Sequence, residues 1–339
     1  MIPIIDMHCD TISEINKLKK TGQEKHLREN SLSVDLNKMK AGGYLCQNFA
    51  LYTNMDQVRR DNEDAYEHVL MLSDILDDEI GQNKDLIRLA LSGTEMEENF
   101  RNGFLSGLKT IEEGAVYKGS ADNLKRLYEK GVRMSTLTWN FENELAFPNR
   151  FEKDETSPDK VRATCDTENG LKPAGFELVE AMEEMGIIID ISHLNDAGIF
   201  DVFRTVKKGT PVVASHSNAR AVASHPRNLS DEMLRNIAES GGVCGINFAY
   251  HFISDNPDPN GVTTIEGMIR HMKYIRNLAG IDILGFGSDF DGIGNEVEIK
   301  DAAGMQRIAD AMSASGFTTD EIEKVFYKNV LRVYKAVLG

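Results

Sequence analysis

GIIIDIS at 186–192 and TPVVAS at 210–215 are the stretches whose reading decides the fold. Both are short, β-branched and continuously apolar, without the in–out alternation of a strand that has one wet face. Such runs belong to parallel strands buried on both sides. Working outward, similar runs recur at Ile2–His8, Tyr44–Leu51, Leu86–Leu91, Leu108–Glu112, Val132–Trp139, Gly186–His193, Pro211–His216, Gly242–Phe248 and Ile283–Asp289. Between them lie stripes with helical spacing: Ala65, Val69, Leu72 and Leu76; Leu124, Leu127 and Tyr128; Leu178, Ala181, Met182 and Met185; Ile322, Val325, Phe326, Val330 and Val333. Ser230 ahead of DEMLRNI, and Thr318 with Glu321, read as helix caps. Alternating strands and helices give an α/β fold with a parallel sheet. Eight units would close a (β/α)8 TIM barrel, with Leu86–Leu91 as the surplus ninth run. A doubly wound sheet fits the same alternation, although no GxGxxG turn follows the first strand.

The chain has 339 residues, 41% hydrophobic and 27% charged, an ordinary core-forming composition that excludes disordered, collagen-like and disulfide-scaffold classes. Lys and Arg number 38 against 54 Asp and Glu, a formal charge of −16. That field repels phosphate backbones and anionic bilayers, so neither nucleic-acid nor membrane partners are expected. No apolar run approaches the ~18 residues of a membrane span. MIPIIDMHCD lacks a basic n-region, and the four cysteines are far apart with no CxxC pair. A cytoplasmic location with reduced thiols is the expectation. No repeat, low-complexity tract or Pro/Gly/Ser-rich linker divides the chain, so residues 1–339 are expected to form a single domain. Two long polar loops, Asn140–Asn169 and His251–Val262, read as lids, interface elements or disordered insertions at the barrel mouth.

Of 8 histidines, His8, His193 and His216 end apolar runs, as do Glu112 and Asp289. In a barrel, those ends share one mouth, where barrel enzymes build their sites. His8 and Asp10, two apart on extended backbone, project to the same side. Imidazole nitrogen with carboxylate oxygen suits Zn²⁺ or a similar divalent ion. Singly, each residue has an ordinary reading. HxD arises by chance, a lone His after a strand is commonly structural, Glu112 can be half of a surface ion pair, and Asp289 and Asp291 can cap a turn. Five ligand-type residues at five strand ends are what point to a metal site. His26 and His68 read as solvent-facing and His271 as structural. His225 and His251 lie in loops without an assigned role, although His251 could reach the mouth.

These residues carry a resemblance to the membrane dipeptidase (renal dipeptidase) family, the M19 metallopeptidases, from residue 2 to about residue 335. The matching segments are DMHCDT at 6–11, TIEEG at 110–114, GVRMSTLTWN at 131–140, DISH at 190–193, ASHSNARAVASHPRN at 214–228 and GFGSDFDG at 285–292. The resemblance implies a (β/α)8 metallo-dipeptidase barrel of amidohydrolase-like type. By the same resemblance, His8, Asp10 and Glu112 look like ligands of one zinc, and Glu112 bridges to a second held by His193 and His216. Glu112 is preferred to Glu113 because Gly131 follows it by 19 residues, as the family's bridging Glu requires. Arg227, 11 residues past His216, resembles the family's binder of the substrate carboxylate. Asp289 resembles the residue that contacts the substrate amine and shuttles the proton, while Asp291 looks structural.

Two departures stand out. Cys9 replaces the usual Asn between two ligands, pointing away from them. Trp139 stands where better-known members have a His thought to bind the developing oxyanion; indole keeps one N–H donor but cannot transfer a proton. The implied reaction is hydrolysis of small dipeptides, L-Xaa–D-Xaa as well as L-L. Two ions about 3.5–4 Å apart share a hydroxide that attacks the amide carbonyl. Asp289 accepts the proton and Arg227 grips the terminal carboxylate. Two alternatives stay open: a binuclear amidohydrolase for another small amide or lactone, and a catalytically weak metal- or peptide-binding relative. A homodimer is expected by the same resemblance.

Overall fold

The doubly buried runs form strands in a computed structural model that describes residues 1–154, 161–255 and 261–339. In chain order the strands, these runs together with a two-stranded ribbon from the first long loop, are β1 (Ile4–Asp6), β2 (Tyr44–Tyr52), β3 (Ile87–Leu89), β4 (Leu105–Glu112), β5 (Val132–Thr136), β6 (Arg150–Lys153), β7 (Val161–Thr164), β8 (Ile188–Asp190), β9 (Val212–Ala214), β10 (Val243–Ile246) and β11 (Leu284–Phe286). The ring runs β2–β1–β11–β10–β9–β8–β5–β4, all parallel, and the β2–β4 ladder from Cys46↔Ser106 to Tyr52↔Glu112 closes it. The architecture is therefore an eight-stranded α/β barrel with one extra strand. A doubly wound sheet would leave two free edges, and this ring leaves none.

The surplus is β3, inside Leu86–Leu91. It pairs with the start of β4, from Ile87↔Leu105 to Leu89↔Gly107, on the side that β5 occupies from Lys109 onward. The extra strand thus completes the exposed start of the long strand β4 without entering the ring.

Beneath the strand ends, the C-terminal helix Asn329–Leu338 packs its apolar stripe into the barrel. Val330, Val333 and Tyr334 share a buried cluster with Ile5, Leu45, Met134, Ile188, Val213 and Val243. The Tyr334 hydroxyl meets Asn48 Nδ2 at 2.6 Å, which satisfies both groups inside the core.

The Asn140–Asn169 segment holds an antiparallel ribbon, β6 with β7, where the sequence reads only as a polar loop. Its β6 residues are all exposed, so a backbone ladder forms there without an apolar face to betray it. Parts of both long loops, 155–160 and 256–260, lie outside the described residues.

Close backbone approach shapes the mouth. A Cβ on Gly287 would lie 1.8 Å from the Ser215 carbonyl oxygen, and one on Gly245 would lie 2.0 Å from the same atom. Neither neighbour is a flexible side-chain end that could move aside. Gly287→Ala is expected to destabilise the protein by about 3 kcal/mol, the upper range for overpacking. Gly81, in the helix Ala65–Gln82, has open space around its would-be Cβ. There the same change should stabilise by about 0.5–1 kcal/mol. Urea midpoints of the two variants beside wild type check both signs; a neutral Gly287→Ala would contradict the packing argument.

Candidate metal centre

Two buried aspartates end strands and aim the residues that follow. The carboxylate of Asp6, last in β1, accepts the N–H of His8 at 3.3 Å, the N–H of Ser288 at 2.9 Å and the Ser288 hydroxyl at 2.6 Å. Asp190, last in β8, accepts the N–H groups of Ser192 and Ser215, each at 2.9 Å, and the Ser215 hydroxyl. A carboxylate that takes up backbone donors ends the ladder without leaving an orphan amide. The strands are therefore shorter than their apolar runs, and the candidate ligands sit just beyond them. His8 and His216 lie two residues past β1 and β9. His193 and Asp289 lie three past β8 and β11, in the left-handed region at φ +69° and +61°. Glu112 is the last residue of β4. Asp6 and Asp190 escaped the sequence reading; the signal available was an Asp two or three positions ahead of a strand-end His.

The five predicted ligands converge. Glu112 Oε2 lies 3.3 Å from His8 Nε2, which is 3.5 Å from Asp10 Oδ2 and 3.8 Å from Asp289 Oδ1. The other oxygen, Oε1, lies 3.0 Å from His193 Nε2 and 3.5 Å from His216 Nε2. One carboxylate therefore spans two donor sets, and all five residues are buried. His193 Nδ1 faces Asn140 Oδ1 at 3.1 Å, and His216 Nδ1 faces Ser215 Oγ at 2.7 Å. With Nδ1–H donated outward, both Nε2 atoms carry lone pairs, yet they stand 2.8 Å apart. His8 Nε2 and Asp10 Oδ1 have no hydrogen-bond partner although both are buried. Lone-pair donors and unpaired carboxylate oxygens held face to face fit a divalent cation of the zinc type.

The electrostatics agree. Burial, with Asp10 and Asp289 nearby, pushes Glu112 up to about 7, and burial lifts Asp289 to about 6. Burial would lower His8, but the Glu112 and Asp10 carboxylates overcome it and hold the ring well above its ordinary value. His193 and His216 are driven well below theirs by burial, then by the cationic groups around them. The cluster is an excess of negative charge short of a cation.

A cavity of about 360 Å³ opens onto these groups. Arg227 lines it, 5% exposed, with Nε unpartnered and its basicity lowered to about 10 by burial. Asp289 Oδ2 accepts from Asn247 Nδ2 at 3.0 Å, a contact between positions 42 apart that no local pattern signals. Gly292 leaves the space both acids need: a Cβ there would lie 2.0 Å from Asp10 Oδ2 and 2.5 Å from Asp289 Oδ1. Trp139 also lines the cavity, its ring 5.2 Å from Tyr52, 5.3 Å from Phe141 and 5.9 Å from His193. Its backbone N–H is held by Glu113 Oε2 at 3.0 Å. Glu113 itself has φ +102°, and its carboxylate also takes Ala115 N–H and Asn143 Nδ2.

Asp291 binds Thr11 Oγ1, Ser33 N–H and Val34 N–H, which ties loops together. Cys9 is buried in the apolar layer. His271 bridges Ala219 N–H and the Ile253 carbonyl, as a structural His should. His225 and His251 both line the cavity. His26 is half exposed, but His68 is a correction: its side chain is 9% exposed, with the ring held by Glu63 at 2.9 Å. A charged neighbourhood in sequence did not reveal that partner.

The family profile of membrane dipeptidases, peptidase family M19, matches residues 1–338. The chain is 34% identical over 269 residues to the uncharacterized protein in the pqqA 5′ region of Klebsiella pneumoniae, covering 78% of this chain and 93% of that one. It is 27% identical over 311 residues to the dipeptidase tcpJ of Claviceps purpurea, covering 90% and 69%. A Rhodobacter sphaeroides metallopeptidase, solved with a phosphinate mimic of the dipeptide L-Ala-D-Ala, superposes with a TM-score of 0.87 at 26% identity, over 99% of each chain. With the sequence match spanning nearly its whole length, this chain belongs to the membrane dipeptidase family, peptidase family M19.

Proposed function

We propose that this protein is a dipeptidase working with two zinc ions. The observation that carries the reading is Glu112, whose two oxygens face separate histidine-containing donor sets. His8, Asp10 and one Glu112 oxygen would hold one ion; His193, His216 and the other oxygen would hold the second. Bound there, such a pair acidifies water toward neutral pH and polarises an amide carbonyl.

The chain's own residues supply the rest. Arg227, buried and short of partners, receives the substrate's C-terminal carboxylate. Asp289, with Oδ2 anchored by Asn247 and Oδ1 turned toward His8, takes the proton released as water attacks. It then delivers that proton to the leaving amine nitrogen. It also lies beside the place a substrate ammonium would take. A cation at one end and carboxylates at the other measure substrate length, which favours free dipeptides over polypeptides. The Rhodobacter relative's L-Ala-D-Ala mimic supports a D-residue at the C-terminal side. A net charge of −16 is in keeping with a small-molecule substrate and against nucleic acid. Among the described residues, no helix is long and apolar enough to cross a membrane.

A second reading, another small amide or lactone, draws on the Tyr52–Trp139–Phe141 wall, which offers apolar surface and a single indole donor near His193. The wall would in either case favour a substrate with a bulky apolar group.

Metal analysis should find about two zinc per chain, with L-Ala–L-Ala and L-Ala–D-Ala both cleaved. Asp289→Asn should keep the metal and lower kcat about 10²–10⁴-fold, the range for losing a general acid–base group. Full metal content with an unchanged kcat in this variant would remove Asp289 from the proton path. Trp139→Ala should raise KM about tenfold for dipeptides with an aromatic side chain and far less for Ala–Ala. Equal effects on both substrates would mean the wall does not select side chains. If a cyclic amide outpaces every dipeptide with wild type, the second reading replaces the first.

A further inference from the structure

We infer that Arg220 is a positioning residue for Arg227, and that through it the enzyme recognises a free terminal carboxylate. This rests on the reading of Arg227 given above. The Arg227 guanidinium has little to hold it: Nη2 reaches the His216 carbonyl at 3.4 Å, Nε has no partner, and Phe252 lies 5.6 Å from the charge centre. Its direction must therefore come from its backbone.

That backbone is clamped from within its own loop. Arg220 Nε donates to the Asn228 carbonyl at 2.8 Å, and Nη2 donates to the Pro226 carbonyl at 3.1 Å. These are the carbonyls on either side of Arg227. The clamp is itself fixed by a bidentate pair, Nη1 and Nη2 to the two oxygens of Asp196 at 2.7 and 2.8 Å. Asp196 opens the helix Asp196–Thr205, which follows β8, so the loop is referenced to the strand that carries His193. Loop closure adds Arg220 N–H to the Leu229 carbonyl at 2.9 Å and Leu229 N–H to the Asn218 carbonyl at 2.8 Å. Asn149 Nδ2 holds the Pro226 carbonyl from outside at 3.0 Å.

A planar guanidinium can satisfy one carboxylate and two carbonyls together; an ammonium on a flexible stem cannot. Arg220→Lys keeps the charge beside Asp196 but releases at least one carbonyl. Arg227 then stays in place chemically, but its guanidinium is no longer aimed.

The test compares L-Ala–L-Ala with L-Ala–L-alaninamide, which lacks the carboxylate, on zinc-loaded enzyme. Wild type should prefer the free dipeptide in kcat/KM, and Arg227→Met should erase that preference. Arg220→Lys should raise KM for the dipeptide about tenfold with kcat within about twofold, leaving the amide's kcat/KM within about twofold. Asn149→Ala should move in the same direction by less. Asp196→Asn probes the same clamp if Arg220→Lys fails to fold. A uniform loss on both substrates would assign Arg220 a merely structural role and overturn the proposal. An unchanged preference in Arg220→Lys beside its loss in Arg227→Met would do the same, with the carboxylate reading intact. If Arg227→Met keeps the preference, the reading of Arg227 fails and takes this proposal with it.

Discussion

Three carboxylates, Asp10, Glu112 and Asp289, converge on one imidazole, His8, in a barrel mouth where His8, Asp10 and Glu112 are buried. Burying like charges this close is strongly unfavourable unless a cation joins them. Few folds could hold such a cluster. A closed parallel barrel can, because the groups rise from the ends of three strands, β1, β4 and β11, and no strand can retreat without breaking ladders on both sides. The local strain is visible in the left-handed φ of His193 and Asp289. For a non-glycine residue that conformation costs of order 1–3 kcal/mol and persists only where surroundings over-determine it. Here the surroundings are the buried Asp6 and Asp190, whose hydrogen bonds leave the chain no other path toward the mouth.

Much of this was legible in the sequence, for a physical reason. Strands buried on both faces show as continuous apolar runs, so the ring strands and the surplus β3 could be read from GIIIDIS, TPVVAS and their kin. A ligand must be polar where its neighbours are apolar, so His8, Glu112, His193, His216 and Asp289 stood out at the ends of those runs. What stayed hidden has no local signature. The β6–β7 ribbon is a backbone ladder whose β6 residues are all exposed, so no apolar stripe marks it. The Asp196–Arg220 pair joins positions 24 apart, and the Asn247–Asp289 contact joins positions 42 apart; only the fold brings them together. His68 reads as solvent-facing from sequence because its Glu63 partner lies ahead of the helix that carries it.

Glu113 shows the same logic at smaller scale. Its φ of +102° is a conformation that glycine adopts freely, and an acid there needs compensation. The compensation is three hydrogen bonds to its carboxylate, one of them from the N–H of Trp139. Trp139 and Glu113 are thus linked physically, so the indole wall is held by the residue next to the proposed bridging Glu112.

The two ends of the cavity are built differently, and that difference bears on how such an enzyme can change substrates. The donor cluster is fixed by strand ends and by aspartates inside the ring, where any shift disturbs the barrel itself. Arg227 and Phe252 instead sit on segments beyond the strands, and the Arg227 loop is held by side-chain clamps such as Arg220 with Asp196. Loops fixed by a few polar contacts can be rebuilt without disturbing the strands beneath them. The donor cluster around Glu112 is therefore bound to the fold, whereas the Arg227 loop is bound to a handful of hydrogen bonds. On the function proposed above, replacing those bonds would alter which amide is cleaved while leaving the donor cluster in place.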